Sequence, residues 1–160
     1  MPLLYVSELI EMAVKDEEAG VVFYRALAEV ARDARVRERM LAIALQEEAQ
    51  LAWFQKMRAE VGQAQVAEDY EGEDDEYLRA LTAPAFPDAA DAGTLARRAG
   101  SDLEAIDLAM RLEKDTLLLL VEMKRFLRER HLKYVDVIID EEREHLVTLA
   151  AMKKMLGGAR

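Results

Sequence analysis

The chain has 160 residues, a net charge of −10 and no cysteine. The charge argues against general nucleic-acid binding, which needs Lys and Arg to neutralise phosphates. The absence of cysteine excludes disulfides, Cys-ligated zinc, iron–sulfur clusters and thiol catalysis.

Hydrophobic residues make up 52% of the sequence, against only 7 Gly and 3 Pro. One all-α domain over 1–160, built from long helices, is therefore expected. Met1–Val6 is apolar but too short for a secretory signal, and Glu8 and Glu11 follow at once. No apolar run reaches membrane-spanning length. The expectation is a cytoplasmic protein with no membrane partner.

Helix 1 should start after Ser7, a plausible N-cap with Glu8 and Glu11 in the first turn, and run to about Arg32. Ile10, Ala13, Val14, Val21, Tyr24, Leu27 and Ala28 mark its apolar stripe, and Glu17 lies on that stripe. A polar break at Asp33–Arg35 leads to helix 2, about Val36–Val61, ended by Gly62. Its stripe reads Leu41, Ala44, Leu45, Glu48, Leu51, Ala52, with Glu47 facing elsewhere. The first hairpin is thus 7–61.

A crossover, 62–101, follows. It carries the acidic run Glu68–Glu76, a short helix expected at Tyr77–Leu81, and Ala83-Pro84-Ala85-Phe86-Pro87. The acidic run reads as a solvated segment. A connection this long can cross the length of a bundle, so the second hairpin, 102–156, need not follow simple up-down order.

Helix 3 should start near Ser101-Asp102 and reach about Leu127. Ile106, Ala109, Met110, Leu117, Leu120 and Met123 form its stripe, with Glu113 inside it. Leu117–Val121 is apolar on all sides, which suggests deep burial or a partner. Arg128–Lys133 connects to helix 4, where Val135, Ile138, Leu149, Met152 and Leu156 place Glu142 and His145 on the apolar side.

Each helix therefore carries one Glu inside its apolar stripe: Glu17, Glu48, Glu113 and Glu142. Glu17 precedes Glu48 by 31 residues and Glu113 precedes Glu142 by 29, as in two related hairpins. Glu-x-x-His projecting inward is the ligand pattern of dimetal carboxylate bundles. Four buried carboxylates would repel one another unless cations, shared protons, or Lys and Arg compensated them. A buried Glu–His hydrogen bond without metal is the plainer alternative. Oxygen-rich ligation with one imidazole suits iron or manganese, with zinc as a further candidate.

These residues resemble the rubrerythrin-like branch of the ferritin-like superfamily. The likeness rests on Ala13-Val14-Lys15-Asp16-Glu17 leading to Phe23-Tyr24, and on Gln46-Glu47-Glu48. It continues in Ala105-Ile106 leading to Leu112-Glu113-Lys114-Asp115, and in Ile138-Ile139-Asp140-Glu141-Glu142-Arg143-Glu144-His145; Tyr77-Leu78 in the crossover adds to it.

The resemblance implies a ferritin-like four-helix bundle and a di-iron site. Glu17 and Glu113 would be terminal ligands, Glu48 and Glu142 would bridge, and His145 would bind the second iron. It also implies a homodimer that reduces peroxide or oxidises ferrous iron. A rubredoxin-type domain would need four cysteines, so electrons would come from a separate donor protein.

Two positions depart from the family. Leu51 stands where a second Glu-x-x-His would place its His, and Thr116 stands where rubrerythrins proper carry a second Glu. One iron should then bind tightly and the other weakly. The competing expectation is a metal-binding or scaffold bundle without redox turnover. Tyr24, Trp53, Phe54 and the Met residues at 40, 57, 110, 123, 152 and 155 read as packing, and His131 reads as an exposed turn residue.

Overall fold

The structure, a computed structural model, describes residues 6–61, 76–77, 80 and 88–157. Its helices are α1 (Val6–Val30), α2 (Ala34–Val61), α3 (Ala89–Arg97), α4 (Asp102–Met123) and α5 (Glu129–Gly157), with a 3-10 turn at Lys124–Phe126 between the last two. The acidic run and most of the short helix expected at 77–81 lie outside the described residues. So does Gly62.

The helices depart from their expected limits at several ends. Ser7 lies inside α1 rather than capping it. The break between α1 and α2 comes earlier, at residues 31–33, where Asp33 closes its own turn: its Oδ1 accepts from the Arg35 backbone N–H at 2.8 Å. α4 starts where expected, at Asp102, and Ser101 caps it, accepting from the Glu104 N–H. The connection from α4 to α5 comes earlier than 128–133, because α4 ends at Met123 and α5 begins at Glu129. His131 is consequently a buried helical residue, 5% exposed, and not a turn residue. Its Nε2 accepts from Arg130 Nε at 3.3 Å.

Packing sets the topology. One apolar cluster gathers Phe23 and Leu27 of α1, Met40 and Ile43 of α2, Ile106 and Ala109 of α4, and Leu149 and Met152 of α5. A second gathers Leu9 and Val14 of α1, Phe54 and Met57 of α2, Leu120 and Met123 of α4, and Val135 and Ile139 of α5. α1 and α5 run from the second cluster to the first, and α2 and α4 run the other way.

Each hairpin is thus antiparallel, while α2 and α4 point in the same direction. Consecutive long helices that point the same way need a connection that returns along the bundle, which accounts for the long crossover. α1 packs on α2 and α4, and α5 packs on α4 and α2. The core Met residues expected as packing are buried at 40, 57, 123 and 152.

α3 lies in the segment read as crossover. It packs on the outer side of α1 through Ala92, Gly93 and Ala96. Arg97 reaches back to Glu29 at 3.1 Å. Gly93 permits the close approach: a Cβ there would stand 3.1 Å from Val22 Cγ1. Among the described residues, no helix is long and apolar enough to cross a membrane.

Candidate metal centre

Between the two apolar clusters lies one polar layer. On every long helix the apolar series is interrupted at the same height, by Glu17 on α1, Glu47 and Gln50 on α2, Glu113 and Thr116 on α4, and Glu142 and His145 on α5. All are buried. Glu47, Glu113, Glu142 and His145 can each turn one ligand atom to a common point, with those atoms within 4.8 Å of one another. His145 Nδ1 stands 3.3 Å from Glu47 Oε1, 3.5 Å from Glu113 Oε1 and 3.6 Å from Glu142 Oε1. Its other nitrogen, Nε2, lies 3.1 Å from Gln46 Oε1. That contact turns Nδ1 toward the carboxylates. Tyr24 donates its hydroxyl to Glu113 Oε1.

Of the expected residues, Glu17, Glu113, Glu142 and His145 come together here. Glu48 does not. It is half-exposed and pairs with Arg25 on the surface of the α1–α2 hairpin. The residue in the layer is Glu47. The expected stripe of α2 was out of phase by about one residue: Leu41 and Leu45 are exposed at 47% and 64%, while Met40, Ile43, Ala44, Glu47, Gln50, Phe54 and Met57 face inward.

This correction also moves the departure from the family pattern. Three residues after the inward Glu stands Gln50, not Leu51; Leu51 packs at the edge of an apolar cluster. Thr116, three after Glu113, keeps its place in the layer.

Sequence reasoning also missed Gly20. A Cβ at this position would collide with the Glu47 carboxylate, whose Cδ would be only 3.3 Å away. A glycine within a helix otherwise weakens it, so its place beside an acidic layer was the available signal.

Burial dominates the electrostatics. It pushes Glu17 well up, with the charge of Glu142 adding to the effect. It pushes Glu47 well up, with Glu17 adding. Burial and the hydrogen bond with Glu142 raise Glu113 to about 8. Burial would raise Glu142 as well, but the neighbouring Glu113 carboxyl and the His145 imidazole outweigh it and hold this carboxyl low. Burial alone would lower His145, yet Glu113 and Glu142 hold it up at about 11. Without a cation, the layer is therefore an ion pair of Glu142 and imidazolium, surrounded by carboxyls that keep their protons.

The donor set fits divalent cations. Among the described residues, the buried side-chain nitrogen and oxygen atoms without a hydrogen-bond partner belong to Glu17, Glu47, Gln50, Glu142 and His145. Buried polar atoms are seldom left unpaired. Their collection in one layer, each a metal-ligating atom type, is the pattern that cations would complete.

Comparison with known proteins agrees with this geometry. A family model described as Rubrerythrin matches residues 8–153. A Thermotoga maritima protein, described with its crystal structure as ferritin-like and diiron-carboxylate, is 30% identical, with a TM-score of 0.73 over 96% of this chain and 97% of that one. A hypothetical protein of Pyrococcus furiosus shares the fold at 20% identity, with a TM-score of 0.68 over 97% of this chain and 92% of that one. No curated protein matches the chain. With the family model spanning nearly its whole length and the acidic layer in place, the chain belongs to the rubrerythrin family.

Proposed function

We propose that the chain is a di-iron oxidoreductase that reduces peroxide. The observation that carries this reading is the set of unpartnered buried ligand atoms on Glu17, Glu47, Glu142 and His145. In this reading Glu17, Glu47, Glu113 and Glu142 would hold the irons through carboxylate oxygens, and His145 would supply nitrogen through Nδ1. Two ferrous ions bound there would supply the two electrons that reduction of hydrogen peroxide to two waters requires, the two protons coming from solvent.

The protein's own part is to fix geometry and charge. Gln46 orients the imidazole, and Tyr24 holds Glu113. The two apolar clusters on either side keep bulk water from the layer. Oxidation of ferrous iron has the same electron balance and differs only in whether the iron stays or leaves as product.

Anaerobic loading with ferrous iron, followed by mixing with hydrogen peroxide, tests the proposal. Oxidation of two irons per peroxide, reversible by an added reductant over repeated cycles, is the expected result. A single oxidation that no reductant reverses favours the second reading, a metal-binding bundle without turnover; Thr116, where rubrerythrins proper carry a carboxylate, is the residue that speaks for it.

If the centre turns over, the electron donor would be a separate protein; the working unit, as in the family, would be a homodimer. The apolar run of α4 supports the dimer, since Leu118 and Val121 stay 49% and 44% exposed after the chain has folded. Sedimentation should give a dimer for the native chain and a monomer for the Leu118→Glu, Val121→Glu double variant.

A further inference from the structure

The layer has a two-fold pattern within one chain. α1 and α2 bring Glu17, Glu47 and Gln50, and α4 and α5 bring Glu113, Glu142 and His145. Glu17 precedes Glu47 by 30 residues and Glu113 precedes Glu142 by 29, and Gln50 and His145 follow Glu47 and Glu142 by three. Gln50 thus occupies, in the first hairpin, the position of His145 in the second.

Gln50 is 2% exposed. Its Nε2 donates to Glu141 Oε2 at 3.0 Å, and the side chain helps to hold the Glu142 carboxyl low. Its Oε1 has no partner. A long, buried polar side chain is thereby tied down through its nitrogen while its oxygen, one turn along α2 from Glu47, stays unpaired. Leu or Met would fill such a place in an apolar core at lower cost.

We propose that Gln50 Oε1 is the neutral donor of the second cation position, taking the role that His145 Nδ1 has at the first. The inference rests on the metal-centre reading and adds to it a ligand and a preference. The second position is then all oxygen: Glu17, Gln50 and the shared bridging carboxylates. An amide carbonyl satisfies hard cations such as Mn²⁺ and Fe²⁺, and it binds borderline ions less well than imidazole does. The two positions therefore differ in strength and in selectivity, the imidazole side filling first.

Anaerobic titration with Co²⁺, followed by calorimetry and by the d–d absorption, tests this on the whole chain. The native protein should bind two ions, the second about tenfold or more weakly than the first. Gln50→Leu should lose the second step and keep the first. Gln50→Glu retains an oxygen and should keep both. Gln50→His should tighten the second step by about tenfold or more and alter its absorption. Circular dichroism of each variant confirms that the bundle persists.

Two unchanged steps in Gln50→Leu would overturn the proposal. So would equal weakening of both steps, which would make Gln50 a prop for Glu142 only. A native chain that binds no Co²⁺ at all would sink the metal-centre reading itself, and is thereby told apart from failure of the Gln50 assignment.

Discussion

Glu47 and Glu48 are adjacent in the chain, yet about 100° apart around α2, and that angle separates a buried ligand from a surface ion pair. Glu47→Gln should weaken metal binding at least about tenfold. Glu48→Gln removes only the partner of exposed Arg25, so metal binding should hold and stability should change by no more than about 0.5 kcal/mol. Paired titrations and melts check both, and the reverse order would refute the phase of α2. Gly20→Ala offers a subtler probe. It should favour the helix by about 1 kcal/mol, but the new methyl falls on the Glu47 carboxylate. Weaker metal binding with helix content retained is the expected result by titration and circular dichroism. The sequence showed Glu17, Glu113, Glu142 and His145 because each interrupts a clean apolar stripe. Glu47 was not legible in that way, because α2 carries exposed Leu41 and Leu45 on the face beside Glu48. Apolar residues on both sides of a long helix leave its phase open by one position, which is enough to choose the wrong one of two adjacent carboxylates.

The long helices were legible as elements because each repeats large apolar side chains over several turns. α3 was not. It buries Ala92, Gly93 and Ala96, and small residues give little periodic signal against a background of alanine. The junction of the two hairpins depended likewise on a polar contact that no hydrophobic pattern reports. Asp102, at the start of α4, accepts from the backbone N–H of Arg32 at 3.0 Å and of Asp33 at 2.8 Å. It thus ties the α1–α2 turn to the second hairpin. Asp102→Ala leaves both donors without that partner and should cost about 1–3 kcal/mol. Denaturant unfolding should show this loss while metal stoichiometry stays unchanged, since the contact is remote from the polar layer. A simultaneous loss of metal binding would mean that the turn also governs the alignment of the two ligand halves.

At the scale of the whole molecule, a polar layer clamped between two apolar clusters makes folding and metal binding depend on pH in opposite senses. Glu113 at about 8 and Asp16 at about 7, the latter raised by burial and then by Asp115, keep protons in the folded chain that the unfolded chain releases near pH 4. His145, held at about 11, keeps its proton well above the ordinary imidazole range. A folded state that binds more protons than the unfolded one loses stability as pH rises. The contribution of the two acids is whole below pH 4 and gone above about 8, and that of His145 fades from about 6.5 to 11. Glu142 runs the other way, but a carboxyl held low loses its contribution only as acid pH falls through its own range. Metal-free protein should therefore melt at progressively lower temperature from pH 5 to pH 9. Cations displace protons from these carboxyls and from His145, so affinity should climb with pH and offset the decline. Calorimetric melts with chelator and with Co²⁺ should accordingly diverge across this range, and a pH-stat should record the protons released during loading. Metal-free protein that gained stability between pH 5 and pH 9, with no proton release on loading, would show the carboxylates already ionised in the fold and remove the electrostatic basis for the site.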